Sequence, residues 1–231
     1  MQDPITLETL DRDGAIRELG AEAHDAAGTV ETAEDDTRSH VPGRAGALAG
    51  GALALGAIPL AFAGAANGLS KSDVKILNYA LTLEYLEAAF YAQAVKQGKL
   101  SGNAARFAKV VAGHEAMHVR ALKSTLGSAA VKEPRFDFMG TTADQATFLR
   151  TAMTLEDTGV SAYQGQAPNI VSEQVLAAAG AILAVEARHA AWVRYLLGQG
   201  SDPSPAPDAF NPPMSMSAVL SAVRGTGFIK S

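Results

Sequence analysis

The chain has 231 residues, of which 48% are hydrophobic and 19% charged, and its formal net charge at pH 7 is −5. It contains no cysteine, which excludes disulfides, thiolate metal sites, iron–sulfur clusters and lipid attachment through Cys in this chain. The acidic balance offers no basic surface, so we expect no nucleic-acid partner.

The N-terminal 69 residues are predicted to lie outside the folded core domain. Residues 1–40 are rich in Asp and Glu and poor in large apolar side chains, which is typical of a disordered, solvated segment. An uncharged run, AGALAGGALALGAIPLAFAGAA, follows at residues 45–66. It suits an export signal or a membrane anchor, but its Ala and Gly content and Pro59 also suit an apolar segment that packs on the bundle or on a partner. Export to the envelope and a cytoplasmic location both stay open.

Four amphipathic helices are predicted within residues 70–200, and local signals mark their ends. Gly98 suits the end of the first helix. Thr142-x-x-Gln145 has the form of a capping box that opens the third helix, and Ser172 suits the N-cap of the fourth. The predicted spans are about 71–97, about 103–126, from the capping box to about Tyr163, and from Ser172 to Gly198, which follows the last turn.

The connections predict the topology of an all-α four-helix bundle. The first and second helices are joined by a few residues, as are the third and fourth, so each pair should form an antiparallel hairpin. The connection at about 128–142 is longer. Because a helix of ~20 residues is ~30 Å long and an extended chain covers ~3.3 Å per residue, this segment can cross the whole bundle.

A Pro-rich stretch, SDPSPAPDAFNPP, follows the bundle at residues 201–213. It predicts an extended arm within a C-terminal region that spans 201–231. A short amphipathic helix is expected at about 215–224, and Phe228 and Ile229 could dock on the bundle.

A pattern of carboxylates and imidazoles occurs twice in the predicted bundle. Each copy has a Glu on one helix and Glu-x-x-His on the next, where the last two residues share one helix face. The helix that carries Glu84 aligns with the third helix at an offset of 72 residues, and the Glu-x-x-His helices align at an offset of 71. The two copies are Glu84 with Glu115-Ala-Met-His118, and Glu156 with Glu186-Ala-Arg-His189.

These six residues lie within the apolar faces of their helices. The predicted apolar face of the first helix, for example, is Leu77, Leu81, Ala88, Tyr91 and Val95, and Glu84 falls inside it. Buried charge is costly unless it is paired or coordinated, and the four faces contain no Lys or Arg for salt bridges. Two divalent cations would balance four carboxylates. We therefore predict a dinuclear metal site with all six residues as ligands, in which Glu115 and Glu186 bridge the two ions.

A second metal chemistry competes for part of this pattern. His114 and His118 in HEAMH (114–118) also fit His-Glu-x-x-His, the helix of zinc hydrolases, in which Glu115 would be the base. The second copy has Val185 where His114 stands, so the element that the two copies share is Glu-x-x-His. We expect His114 to lie at the surface or beside a ligand.

Three more residues are candidates for a supporting role at the site. Glu87 lies three residues after Glu84 and could replace it as a ligand or act beside it. Tyr91 and Tyr163 lie two turns after the glutamates of the first and third helices. They suit either core packing with a hydrogen-bonded hydroxyl or direct contact with the metal ligands.

The motifs resemble those of the ferritin-like superfamily, and most closely a bacterial ferritin-like branch that includes plant desiccation-related proteins. The resemblance covers about residues 70–230 and implies a ferritin-like bundle with the same six residues as ligands. The segments that carry it are LNYALTLEYLEAAFY (77–91), HEAMH (114–118), PRFDF (134–138), TLEDTGVSAYQG (154–165), VEARHAAWVRYLLG (185–198) and MSAVLSAVRGTGFI (216–229).

The resemblance also implies a function, because such sites hold iron or manganese and react with O2 or peroxide. We expect two iron or manganese ions, which imidazole and carboxylate ligands also favour. We further expect redox chemistry that limits oxidative or desiccation damage. Two alternatives stay open: a non-catalytic stress or envelope-associated structural protein that keeps the bundle, and the zinc hydrolase. Assembly into a homo-oligomer and membrane association through residues 45–66 also stay open.

Overall fold

A computed structural model describes residues 68–198 and 204–230. The predicted acidic segment and the apolar run at 45–66 lie outside the described residues. The described part is mostly helical. Its elements are α1 (Lys71–Gln97), α2 (Gly102–Leu126), β1 (Arg135–Phe136), α3 (Gln145–Gln166), α4 (Glu173–Gly198), α5 (Met216–Thr226) and β2 (Ile229–Lys230), with 3-10 turns at Gly127–Ala129 and Ala167–Asn169.

The four long helices form the bundle as two hairpins, α1–α2 and α3–α4, that pack against each other. Asn78, near the start of α1, donates to Ala129 O and accepts from Val131 N just after α2 ends. At the other end of α1, Gln93 donates to Thr142 Oγ1. The connection between α2 and α3 therefore runs the length of the bundle, and the predicted ferritin-like crossover is confirmed.

The start of α3 differs from the predicted capping box. Asp144 is the N-cap, and its carboxylate accepts from Thr147 N at 2.8 Å. Thr142 is instead fully buried, with its hydroxyl bonded to the side chains of Gln93 and Gln97 on α1. The prediction was wrong because this tertiary contact engages the threonine, while an equally good capping residue lies two positions later.

Two smaller expectations also differ from the structure. Val95 was assigned to the buried face of the first helix but is 42% exposed. Residues 95–99 are all exposed, so the apolar face ends one turn before the helix does. Gly198 is the last residue of α4 rather than the residue after it.

A single buried carboxylate joins the two hairpins near one end of the bundle. Asp73, in the first turn of α1, is 1% exposed. It accepts from Val171 N at 2.9 Å and Ser172 N at 3.2 Å, the backbone groups just before α4. Ser172 in turn accepts from Val175 N. Asp73 thus satisfies amide groups that a helix start leaves without partners.

Aromatic side chains fill much of the core. Phe90 stacks on Phe148 with ring centroids 5.2 Å apart, and Tyr91 meets Phe107 edge to face at 5.8 Å.

By length and composition alone, α4 is the one helix in the described part of the chain that could cross a membrane. A core helix of a bundle meets the same criterion.

The C-terminal region packs on the bundle, and Phe228 docks there as expected, although the sequence did not specify its partners. β2 pairs antiparallel with β1 of the crossover, and Phe228 is buried against Phe138. Upstream, Met214 N donates to Ser161 O on α3. A Cβ at Gly165 would lie 1.8 Å from Met214 O, so the arm approaches α3 closely only because residue 165 is glycine.

We expect Gly165→Ala to lower the free energy of unfolding by roughly 1–3 kcal/mol, because its methyl group must displace backbone. Gly180→Ala is the matched control. It also lies within a helix, but its Cβ would meet nothing within 4 Å, so it should raise stability by up to about 1 kcal/mol. Urea unfolding measures both. Equal effects of the two substitutions would contradict the packing of the arm on α3.

Candidate metal centre

The six predicted ligands come together at the centre of the bundle, and all are buried. The four glutamates have 0% exposure, while His118 and His189 are 9% and 2% exposed. α1 and α3 each provide one glutamate, and α2 and α4 each provide a glutamate and a histidine one turn apart. No lysine or arginine is buried among the residues that the structure describes. The carboxylates therefore have only the two imidazoles as buried partners of opposite charge.

The side chains form two overlapping groups that could each hold a metal ion, with ligand atoms within 4.8 Å of one another in each group. Both groups contain Glu115 and Glu186. The first group is Glu84, Glu115, His118 and Glu186, and the second is Glu115, Glu156, Glu186 and His189.

Each imidazole turns its Nδ1 atom toward several carboxylates. His118 Nδ1 lies 3.2 Å from Glu84, 3.1 Å from Glu115 and 3.1 Å from Glu186. His189 Nδ1 lies 3.1 Å from Glu115 and 3.2 Å from Glu156. One Nδ1 carries at most one proton and cannot satisfy three acceptors. Around an octahedral ion with bonds of about 2.1 Å, neighbouring ligand atoms lie about 3 Å apart, which is the spacing observed here.

Hydrogen bonding shows the same fit to a cation. Six buried side-chain atoms in the described residues have no partner with hydrogen-bond geometry, and five of them belong to this cluster, although four of the five take part in the short ionic contacts given above. Buried polar atoms are normally paired, so five such atoms in one cluster indicate a missing positive partner. The five are Glu115 Oε1, Glu156 Oε2, both carboxylate oxygens of Glu186, and His189 Nδ1.

The carboxylates do not all prefer the same charge state without metal. Burial raises the pKa of Glu84 to about 7, with Glu115 adding to the rise and His118 opposing it. Burial also raises the pKa of Glu156, and it raises that of Glu186 further with the help of the neighbouring Glu115 and Glu84. Without a cation, the cluster therefore holds protons that isolated carboxyl groups would release at neutral pH.

Glu115 behaves in the opposite way because it lies between the two imidazoles. Burial alone would raise its pKa, but contacts with His118 and His189 outweigh this and hold the pKa below its usual range. Burial alone would lower the pKa of His189, but its contacts with Glu115 and Glu156 raise that pKa to about 10. The pKa of His118 is raised as well, chiefly by Glu84. Glu115 is thus the carboxylate that stays ionised.

Two tyrosines hold the glutamates of α1 and α3, and each reaches across to the other hairpin. Tyr91 on α1 donates to Glu156 Oε1 on α3, and Tyr163 on α3 donates to Glu84 Oε1 on α1 at 2.6 Å. Burial raises the pKa of both hydroxyls well above the usual value, as do the neighbouring carboxylates, so both remain donors. The structure fits both roles considered for them, because the rings are buried in the core and the hydroxyls bond to predicted ligands.

Glu87 is a further buried carboxylate and lies just beside the cluster. It is 3% exposed, and burial together with Glu186 raises its pKa well above the usual value. It belongs to neither ligand group. A Cβ at Gly159 would meet Glu87 Oε1 at 3.2 Å and Glu186 Oε2 at 3.3 Å. Glu87 and Gly159 occupy equivalent positions in the two copies, at the offset of 72 residues. Because Gly159 has no side chain, the Glu87 carboxylate can occupy the space beside it.

His114 contacts one of the predicted ligands from outside. Its Nδ1 lies 2.8 Å from His189 Nε2, and the two rings stack with centroids 5.1 Å apart. It is absent from both ligand groups. The sequence left open whether His114 lies at the surface or beside a ligand. The structure shows both, because His114 is exposed and also contacts His189 on another helix, which no sequence spacing could indicate.

Comparison with known proteins agrees with this architecture. No curated protein matches the chain. A family model described as a ferritin-like domain matches residues 72–199, which include α1 apart from its first residue, all of α2 to α4 and all six predicted ligands. The relation to desiccation-related proteins stays a prediction. Because the match covers more than half of the sequence, the chain belongs to the ferritin-like domain family.

Proposed function

We propose that the protein binds two iron or manganese ions in this cluster and uses them in redox chemistry with O2 or peroxide. The observation that carries the proposal is the sharing of Glu115 and Glu186 between two ligand groups. Shared carboxylates are what a carboxylate-bridged pair of ions requires. Glu84 and Glu156 would each bind one ion, as would His118 and His189.

The donor set favours these metals over magnesium and calcium, although zinc would often bind more tightly in vitro. The six side chains provide two imidazoles and four carboxylates, and this mixture of nitrogen and oxygen ligands suits iron and manganese. Magnesium and calcium prefer sites made of oxygen ligands alone. Four ionised carboxylates also balance two divalent ions, so the loaded site needs no further buried charge. When bound, iron or manganese would supply the electrons that reduce O2 or peroxide.

The protein's own residues orient the ligands. Tyr91 and Tyr163 each hold one carboxylate oxygen of Glu156 and Glu84, which leaves the other oxygen of each glutamate to face the centre. His114 holds His189 through Nε2 and so directs Nδ1 inward, as partners of metal-binding histidines commonly do. Removal of O2 or peroxide would suit protection in oxidative or desiccation stress.

The proposal is tested on protein purified from its own host. We expect close to two iron or manganese ions per chain by elemental analysis, and oxidation of added Fe(II) that depends on O2 or peroxide. Bound metal without turnover would support a structural stress protein instead. A chain without iron or manganese would refute the proposal. Association through residues 45–66 and assembly into a homo-oligomer stay predictions from the sequence.

Histidine variants separate the dinuclear site from a zinc hydrolase. His118→Ala and His189→Ala should each remove a similar share of bound metal, because each imidazole is the only nitrogen ligand in its group. His114→Ala should weaken binding by only about tenfold, since it acts through His189. Titration calorimetry with Mn(II) measures these losses. A zinc hydrolase would show the reverse, with His114 essential and His189 dispensable.

Stability should depend on pH in a way that metal reverses. In the folded, metal-free protein Glu84 keeps its proton to about pH 7 and His189 to about pH 10, whereas unfolded chains release them near 4.5 and 6.5. The folded state binds these protons more tightly, so raising the pH favours unfolding. We therefore expect the melting temperature of metal-free protein to fall between about pH 5 and pH 9.

Metal ions replace these protons, so the stabilisation that they provide should grow over the same interval. At a hundredfold excess over Kd, a metal that binds only the folded state contributes ~2.7 kcal/mol. Thermal melts with and without Mn(II) across the interval measure both effects. A metal-free melting temperature that rises from pH 5 to pH 9 would contradict the assigned charge states.

A further inference from the structure

A small cavity lies beside the metal centre, between α1, α3 and α4. Its volume is about 20 Å³. Leu77 and Leu83 contribute from α1, Ala162 and Tyr163 from α3, and Ile182 from α4.

The lining determines which kind of molecule can occupy the cavity. Apart from Tyr79, Tyr163 and Gln166, every lining side chain is aliphatic. The Tyr163 hydroxyl is already bonded to Glu84, and the Tyr79 hydroxyl is buried without a partner. Nearly all of the surface that the lining presents to the cavity is apolar, so the Tyr79 hydroxyl and the Gln166 amide do not give a buried water the two to four polar partners that it needs. The cavity therefore suits a small apolar molecule.

The size of the cavity narrows the occupant further. A space of about 10–15 Å³, measured in the same way, holds one water molecule. The 20 Å³ observed admits a single molecule slightly larger than water, such as a diatomic gas. Hydrogen peroxide has similar dimensions, but both of its oxygens form hydrogen bonds in water, and the cavity would leave them unpaired.

The position of the cavity connects it to the centre. Tyr163 forms part of the cavity wall and donates to Glu84 on its other side. Leu83, also in the wall, directly precedes Glu84 in the chain. A molecule in the cavity is thus separated from a predicted metal ligand by one layer of side chains.

We propose that this cavity binds dioxygen and holds it next to the metal centre. The binding follows from the cavity alone, while its use in a reaction rests on the proposed function. It also makes O2, rather than peroxide, the oxidant that this side of the bundle admits.

Xenon, an apolar atom that binds dry protein cavities, tests the binding without any metal. Xenon-129 NMR titration of the wild-type protein should show one saturable site. Ala179→Leu, which fills the cavity from α4, should weaken xenon binding at least tenfold, and Ile182→Ala, which enlarges it, should strengthen binding. Ala177→Leu is the matched control because Ala177 is exposed on the same helix, and it should bind xenon as the wild type does.

Absence of xenon binding in the wild type would overturn the proposal, as would unchanged binding in Ala179→Leu. If the larger side chain prevents folding, Ala179→Val provides a smaller filling and should weaken binding to a lesser degree. Thermal melts identify which variants are folded.

The oxidation of bound Fe(II) tests the use of the cavity. Ala179→Leu should slow oxidation by O2 several-fold and leave oxidation by hydrogen peroxide unchanged, whereas Ala177→Leu should affect neither. Equal slowing with both oxidants, or no slowing with O2, would refute a role in oxygen supply. If the wild type binds no iron, the proposed function fails, but the xenon titration still decides whether the cavity binds apolar molecules.

Discussion

The structure depends on the burial of four carboxylates and two imidazoles at the centre of a bundle without a buried lysine or arginine. Isolated buried charges cost several kcal/mol each, so the protein must neutralise them by protons, by mutual contacts or by cations. The metal-free cluster uses the first two, because most of its carboxyl pKa values are raised while Glu115 stays ionised between the imidazoles. Buried atoms without partners remain, and metal ions would satisfy them.

The two halves of the bundle are similar but not equivalent. Their ligands and tyrosines match in position, yet Glu87 in the first half corresponds to Gly159 in the second, and His114 corresponds to Val185. Burial and then the charge of Glu186 raise the pKa of Glu87, both carboxylates lie against Gly159, and His114 contacts His189. Both extra residues thus act on side chains from α4. The two candidate ligand groups therefore differ in their surroundings although their residue types are alike.

The sequence predicted the parts of this structure that follow from periodicity. Glu84 and Glu156 interrupt apolar helix faces, and Glu-x-x-His places both residues on one side of a helix, so the four helices and the inward direction of the six side chains could be read directly. Contacts between elements could not. The pattern Thr142-x-x-Gln145 predicts a helix cap. Thr142 instead bonds to Gln93, and this contact could not be predicted because it forms only when the crossover brings the two residues together. The pairing of β1 with β2 joins two-residue strands too short to leave a pattern.

The exchange of tyrosines between the hairpins has a consequence for how such a chain could arise. Neither hairpin supplies the tyrosine that donates to the glutamate of its own first helix. Glu84 accepts from Tyr163, and Glu156 accepts from Tyr91. Each ligand group also draws a carboxylate from the other hairpin. A single ancestral hairpin would have formed these contacts only as a dimer of two identical copies. Duplication and fusion of its gene would preserve them, and would then free each copy to diverge at positions such as Glu87 and Gly159.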